Sequence, residues 1–198
     1  MNRRWRADDK ISPPLGRWEF ELKMNKRTTK QSSKAQVPSA PRPRVYLDST
    51  IPSVHCDERE SIRYETEITR RWWHEESARY EIWVSPATMA ELKAGGHPHK
   101  TEILNMVEPL PLLSPDAAVD ALAQAYIENL VMPRQHLGDA WHLAYATFHG
   151  FEFLLTWNCN HLANANKRRH LETVNWRLGF ETPQIVTPLE LFKERNDV

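Results

Sequence analysis

From residue 44 onward, short apolar runs alternate with longer segments whose apolar positions recur at helical spacing. "RVYLD" (44–48) reads as a strand, an apolar run with a β-branched start. "ERESIRYETEITRRWWHEESARY" (58–80) reads as one long helix, with Ile62, Glu65 or Thr66, Thr69 and Trp73 near one stripe. "EIWVS" (81–85) is a second strand. "PATMAELKAGG" (86–96) is a helix that opens with Pro and stops at glycines. "KTEILNMV" continues as a short helix. "PLPLLS" (109–114) is a weak third strand, which its prolines confine to a sheet edge or a strand start.

The second half repeats the alternation. "SPDAAVDALAQAYIENLVM" (114–132) reads as a helix capped by Ser114, with Val119, Leu122, Tyr126 and Leu130 at helical spacing. "LGDAWHLAYATFHG" (137–150) places Leu137, Trp141, Ala144, Tyr145 and Phe148 on one face, and Gly150 ends it. "FEFLLT" (151–156) and "PQIVT" (183–187) are strands, "HLANANKRRHLETVNWRLG" between them is helix-rich, and "PLELFKER" is a final helix. Strand–helix–strand alternation predicts an α/β fold: a single three-layer α/β/α domain over 44–198 with a central, mostly parallel sheet. In such sheets ligands bind outside the carboxyl ends of the strands. There is no internal repeat.

Charge adds a second region. The chain is neutral overall, yet residues 1–44 carry 12 Lys and Arg against 4 Asp and Glu, and residues 45–198 carry 14 against 22. The first segment, with "QSSKAQVPSAPRPR", has too few apolar positions to offset the entropy of ordering, so residues 1–43 are expected to be a basic, mostly disordered tail. Met24 opens "MNKRTTKQSSK" and is a second place where translation could start, which would leave 1–23 untranslated. The N-terminus lacks the apolar stretch of a secretory signal. No run approaches the ~18 apolar residues of a membrane span. A cytoplasmic setting follows, with Cys56 and Cys159 as free thiols in no ligand spacing.

The chemistry lies at strand ends. Asp48 closes the first strand, Glu91 sits in the helix after the second, and Asp139 falls in the first turn of the "GDAWHLAYATF" helix. Each alone has an ordinary structural reading: a turn residue, an exposed helix position, a complement to the helix dipole. Together at one sheet edge they would repel unless a cation neutralised them, and hard oxygen ligands suit Mg²⁺ or Mn²⁺. Such an ion lowers the pKa of a bound water and steadies charge on a phosphate, which suits phosphodiester hydrolysis. The nine histidines form no H-E-x-x-H or Cys/His array, so zinc catalysis is not indicated. His142 reads as a packed or interfacial residue, and His161 as packing at a helix start or a substrate contact. Trp157 could stack on a base, and "KRRH" (167–170), with Arg168 and Arg169, could meet phosphates; a core ring and a solvated face are the alternatives.

The segments "VYLDSTIPS", "SPATMAEL", "LGDAWHLAYATFHGFEFLLTWN" and "NHLANA" resemble PIN domains, in particular the VapC-type toxin ribonucleases of bacterial toxin–antitoxin pairs. The similarity covers roughly 44–192. It implies that Asp48, Glu91 and Asp139 are the catalytic, metal-binding acids, and that Ser49 or Thr50 and Thr156 are hydroxyls that orient ligands or water. Many PIN domains place a fourth acid two residues after the strand-end Thr. Here that position is Asn158, which keeps an oxygen acceptor but loses the charge, and this favours a single ion.

The resemblance thus implies a Mg²⁺- or Mn²⁺-dependent endoribonuclease with an RNA substrate, a cognate antitoxin partner and a homodimeric state. The alternatives are a weak or inactive PIN-like module that binds RNA or protein, and a nuclease acting on DNA.

Overall fold

The computed structural model of the chain describes residues 41–193. The basic segment expected over 1–43, with its second start at Met24, lies outside the described residues save for 41–43.

Four short strands form one sheet: β1 (Arg44–Leu47), β2 (Glu81–Trp83), β3 (Phe153–Leu155) and β4 (Gln184–Val186). Their order is β2-β1-β3-β4, and every pair is parallel. Val45 pairs with Ile82 and Phe153, and Leu154 pairs with Ile185. Strand side chains alternate between faces, and the two cores record that alternation. Tyr46, Leu154 and Ile185 belong to one buried cluster, which the helices α5 (Ala117–Glu128), α6 (Leu137–Phe148) and α7 (Ala165–Leu178) complete. Val45, Leu47, Leu155 and Val186 belong to the other, with α1 (Thr50–His55), α2 (Arg63–Glu75), α3 (Pro86–Ala94) and α4 (Lys100–Val107). The architecture is three-layered, α/β/α.

Several boundaries differ from the sequence reading, each for a local reason. The long helix expected over 58–80 is α2 with short 3₁₀ turns on either side. Asp57 blocks an earlier start, because its carboxylate accepts the Arg59 N–H at 2.8 Å and holds an Asx-type turn. The buried stripe of α2 is Thr66, Thr69 and Trp72, one residue out of phase with the expected Trp73. Helix α1 was hidden by Pro52 and three β-branched residues; Pro52 sits in its first turn, where no N–H partner is needed.

The 109–114 segment makes a single bridge, Leu112 to Val84, instead of a strand, since Pro109 and Pro111 offer no ladder N–H. Asp116, not Ser114, caps α5, and that helix ends at Glu128. Leu130 therefore leaves the expected face: it has φ of 59° and is exposed. The last helix is a 3₁₀ turn over Pro188–Leu191. Cys56 and Cys159 are free thiols. Among the described residues, no helix is long and apolar enough to cross a membrane.

Candidate metal centre

β1 and β3 are neighbours, but the chain leaves them in opposite directions, β1 toward β2 and β3 toward β4. That switch in strand order opens a crevice at their carboxyl ends. β1 delivers Asp48 into it and β3 delivers Thr156. The ladder runs one step past the strands to fix both residues: Asp48 N–H donates to Leu155 O at 3.1 Å, and Thr156 N–H to Val186 O at 3.0 Å.

Asp48 is 2% exposed, and both its oxygens are occupied. Oδ2 accepts from the hydroxyls of Thr50 at 2.6 Å and Thr156 at 2.5 Å. Oδ1 accepts from the Ser49 backbone N–H at 2.7 Å. The two threonine hydroxyls act in relay, since Thr50 Oγ1 accepts from Trp157 N–H and Thr156 Oγ1 from Asn158 N–H. Each therefore polarises toward the carboxylate while it pins the loop after β3. This is the pattern of a buried charge made tolerable by donors.

Glu91 projects from α3 to the same point. Ser85 caps that helix by accepting from the Ala87 and Thr88 N–H groups, which sets where Glu91 falls on the second turn. Glu91 Oε2 accepts from Ser49 Oγ at 2.5 Å and faces His142 Nε2 at 3.0 Å. Its Oε1 lies against the start of α6, where a Cβ on Gly138 would come within 2.5 Å of it. Glycine at 138 is what lets the carboxylate reach the helix.

His142 is the residue that sequence reasoning missed as part of this site. It is indeed packed, at 1% exposure, but its ring spans the two acids. Nε2 lies 3.0 Å from Glu91 and 3.4 Å from Asp48, while Nδ1 lies 2.7 Å from the Tyr46 hydroxyl. Tyr46 in turn contacts Ser85 Oγ at 2.7 Å. With the ring charged, Nδ1–H donates to the Tyr46 oxygen and Nε2–H faces the carboxylates. Burial works against a charged imidazole here, but the Tyr46 oxygen, Asp48 and Glu91 outweigh it and hold the pKa well above its ordinary value. The same pairing acts on Glu91: burial raises its pKa, but His142 and Ser49 prevail and keep it below the usual carboxylate range.

Asp139 stands apart from that cluster. It lies in the first turn of α6 and gathers with His136 and His161, with one ligand atom of each within 4.8 Å of the others. The equivalent group around β1 is Asp48, Glu91 and His142. The three acids thus sit at one sheet edge but in two clusters, linked by charge: burial first, then repulsion from Asp48, raises the Asp139 pKa against attraction from His161. Asn158, where a fourth acid was sought, donates its Nδ2–H to Asp139 Oδ1 at 2.8 Å. Its own Oδ1 accepts the His161 N–H, and its carbonyl accepts from Leu162 and Ala163. Asn158 therefore holds the Asp139 carboxylate and folds the loop that carries His161. Asp139 Oδ2 is buried with no hydrogen-bond partner.

The remaining expected contacts fall farther out. Trp157 donates its indole N–H to Thr69 at 2.7 Å and packs, half-buried, on the second core cluster. Arg168 and Arg169 are exposed on the first turns of α7, and Arg168 reaches Ile185 O at 3.4 Å.

Two groups could hold a metal ion: Asp48, Glu91 and His142, and His136, Asp139 and His161, where the orphaned Oδ2 of Asp139 has an unfilled acceptor. No protein-family model matches the chain. No curated protein matches it. Among solved structures it is similar to VapBC-1 from nontypeable Haemophilus influenzae, at 16% identity and a TM-score of 0.47, over 74% of this chain and 98% of that one.

Proposed function

We propose that residues 44–198 form a Mg²⁺- or Mn²⁺-dependent endoribonuclease of the PIN, VapC type, the toxin half of a toxin–antitoxin pair that acts as a cytoplasmic homodimer. The observation that carries this reading is the meeting of the Asp48 and Glu91 carboxylates at the switch point of a parallel sheet, with Asp139 in a second group at the same sheet edge. The motif resemblance around the same three acids supplies the substrate class and the partner.

In this reading Asp48, Glu91 and Asp139 hold the ion, which when bound activates water and steadies charge on the scissile phosphate. The chain's own residues do the positioning. Thr50 and Thr156 fix one Asp48 oxygen, Ser49 bridges Asp48 to Glu91, and Asn158 sets the Asp139 rotamer. His142 supplies a positive partner that lets two carboxylates share a small space. Arg168 and Arg169 lie on an exposed helical turn suited to phosphates. Trp157, with its N–H committed to Thr69, serves as a wall of the site more than a stacking platform.

One observation favours a second reading, a non-catalytic PIN-like module that binds RNA or protein. His142 already compensates Asp48 and Glu91, so the site can persist without an ion. Hydrolysis of single-stranded and structured RNA separates the two. Wild type is expected to cut only with Mg²⁺ or Mn²⁺, and Asp48→Ala and Asp139→Ala to be inactive. Cutting that survives both substitutions would sink the acidic-site mechanism, and RNA binding without cutting under any condition would select the module.

A further inference from the structure

The histidines that show no metal signature along the sequence acquire one in space. His136 precedes α6, and His161 lies in the loop after β3, yet their rings are in contact, with centroids 3.8 Å apart at 32°. Asp139 completes the group, at 3.5 Å from its Oδ2 to His136 Nδ1. That separation is long for a charge-assisted hydrogen bond, about 2.7–2.9 Å. It is close to the roughly 3.3 Å between two ligands of one tetrahedral ion with bonds of about 2.0–2.1 Å.

Two further facts point the same way. Asp139 Oδ2 and His161 Nδ1 are both buried and both without a hydrogen-bond partner. Unpaired buried polar atoms in a folded protein mark a missing partner. The surrounding hydrogen bonds also prepare the set. Asn158 occupies Asp139 Oδ1 and leaves Oδ2 as the free oxygen, while it accepts the His161 N–H and so fixes the loop that carries that ring.

We propose that His136, Asp139 and His161 form a second metal site, for a divalent transition ion of the Zn²⁺ or Co²⁺ class. Two nitrogens and one carboxylate favour such ions over Mg²⁺, which takes oxygen ligands and gives up its waters reluctantly. Three protein ligands leave at least one position open to water or to a phosphate oxygen. The assignment rests on the side-chain geometry and stands whether or not the chain cuts RNA. It makes Asp139 common to two different ions, a nitrogen-rich site on one side and the Asp48–Glu91 pair on the other.

The test is titration of the full chain with Co²⁺ and then Zn²⁺, by calorimetry and by the visible absorption of bound Co²⁺. One tight equivalent is expected, displaced by Zn²⁺ and not by a large excess of Mg²⁺. His136→Ala and His161→Ala should each weaken it by more than the roughly 10- to 100-fold that loss of an outer partner costs. Glu91→Gln, outside the group, should bind Co²⁺ as wild type does. His97→Ala controls for the other close histidine pair, His97 and His99. Wild-type affinity in both His136→Ala and His161→Ala would overturn the proposal, as would Mg²⁺ competing at the concentration of Co²⁺. A chain that binds Co²⁺ through these histidines but never cuts RNA leaves the site standing and removes the nuclease reading. Metal-dependent cutting without histidine-dependent Co²⁺ binding does the reverse.

Discussion

The two corners of the crevice handle buried charge in opposite ways. Around Asp48 the chain closes its own account: two threonine hydroxyls, a backbone N–H and the His142 ring meet the carboxylate. Around Asp139 it does not. One oxygen is held by Asn158, and the other is left buried and unpaired beside an equally unpaired His161 nitrogen. The first corner is preorganised and can fold without an ion. The second keeps its full desolvation penalty until something fills it.

The largest expected break in this contrast is Asp48→Ala. It leaves the buried His142 charge with Glu91 alone and two hydroxyls without their acceptor, and should cost about 3–5 kcal/mol, read as a lower urea midpoint. Asp139→Ala removes one unpaired oxygen and one held by Asn158 alone, and should cost less. Equal losses in the two variants would mean the corners do not differ.

A smaller effect comes from pH in metal-free protein. His142 is held well above its ordinary 6.5 by its partners. A raised histidine contributes stability that is full below its unfolded pKa and is lost as pH rises through its folded value. Glu91, held below 4.5, contributes stability present above its unfolded pKa and lost as pH falls, while Asp139, raised, opposes it at the acid end. The clean limb is therefore the alkaline one. With a chelator present, and below the range where Cys56 and Tyr126 titrate, stability should fall as pH rises above 6.5 in wild type and should not in His142→Asn. Parallel curves above that pH would remove His142 as the counter-charge.

Asn158→Asp probes the open corner. The variant exchanges an N–H donor for a second carboxylate next to Asp139. Metal-free stability at pH 8 should drop by about 1 kcal/mol, roughly the net worth of one hydrogen bond. Mg²⁺ binding measured by calorimetry should tighten, because the site gains a charge. Unchanged or weaker Mg²⁺ affinity would place residue 158 outside the ion's reach.

The smallest expected change in stability is Gly138→Ala. The added Cβ meets only the flexible end of Glu91, so the melting temperature should hardly move. Displacing that carboxylate by about 1 Å should still slow RNA cleavage by roughly 10- to 100-fold. A wild-type rate would show that Glu91 is not held where the site needs it.

Much of the architecture was legible. The four strands stand out as apolar runs, and Asp48 and Thr156 follow from where two of them end. The acids at the sheet edge were legible as residues but not as two groups. Periodicity reports which face of a helix is apolar, but α6 is buried at Ala140 and from His142 through Thr147 while Leu137 is exposed, so the stripe of Leu137, Trp141 and Phe148 did not say that His142 points inward. His136 and His161 are 25 residues apart and meet only because Asn158 folds the loop after β3. Asn158 itself looked like a lost carboxylate, and in three dimensions it is the donor that orients the one that remains. Where a single side chain decides a local start, as Asp57 and Asp116 do, the sequence offers several equivalent candidates and no way to rank them.

The most direct measurement is RNA cleavage by Glu91→Gln beside wild type, with and without Mg²⁺. Glutamine keeps the length of the side chain and a carbonyl oxygen for Ser49, and removes only the charge. Wild type should cut in a Mg²⁺-dependent way, and Glu91→Gln should fall to background with an unchanged circular dichroism spectrum. Glu91→Gln cutting at the wild-type rate would contradict the account.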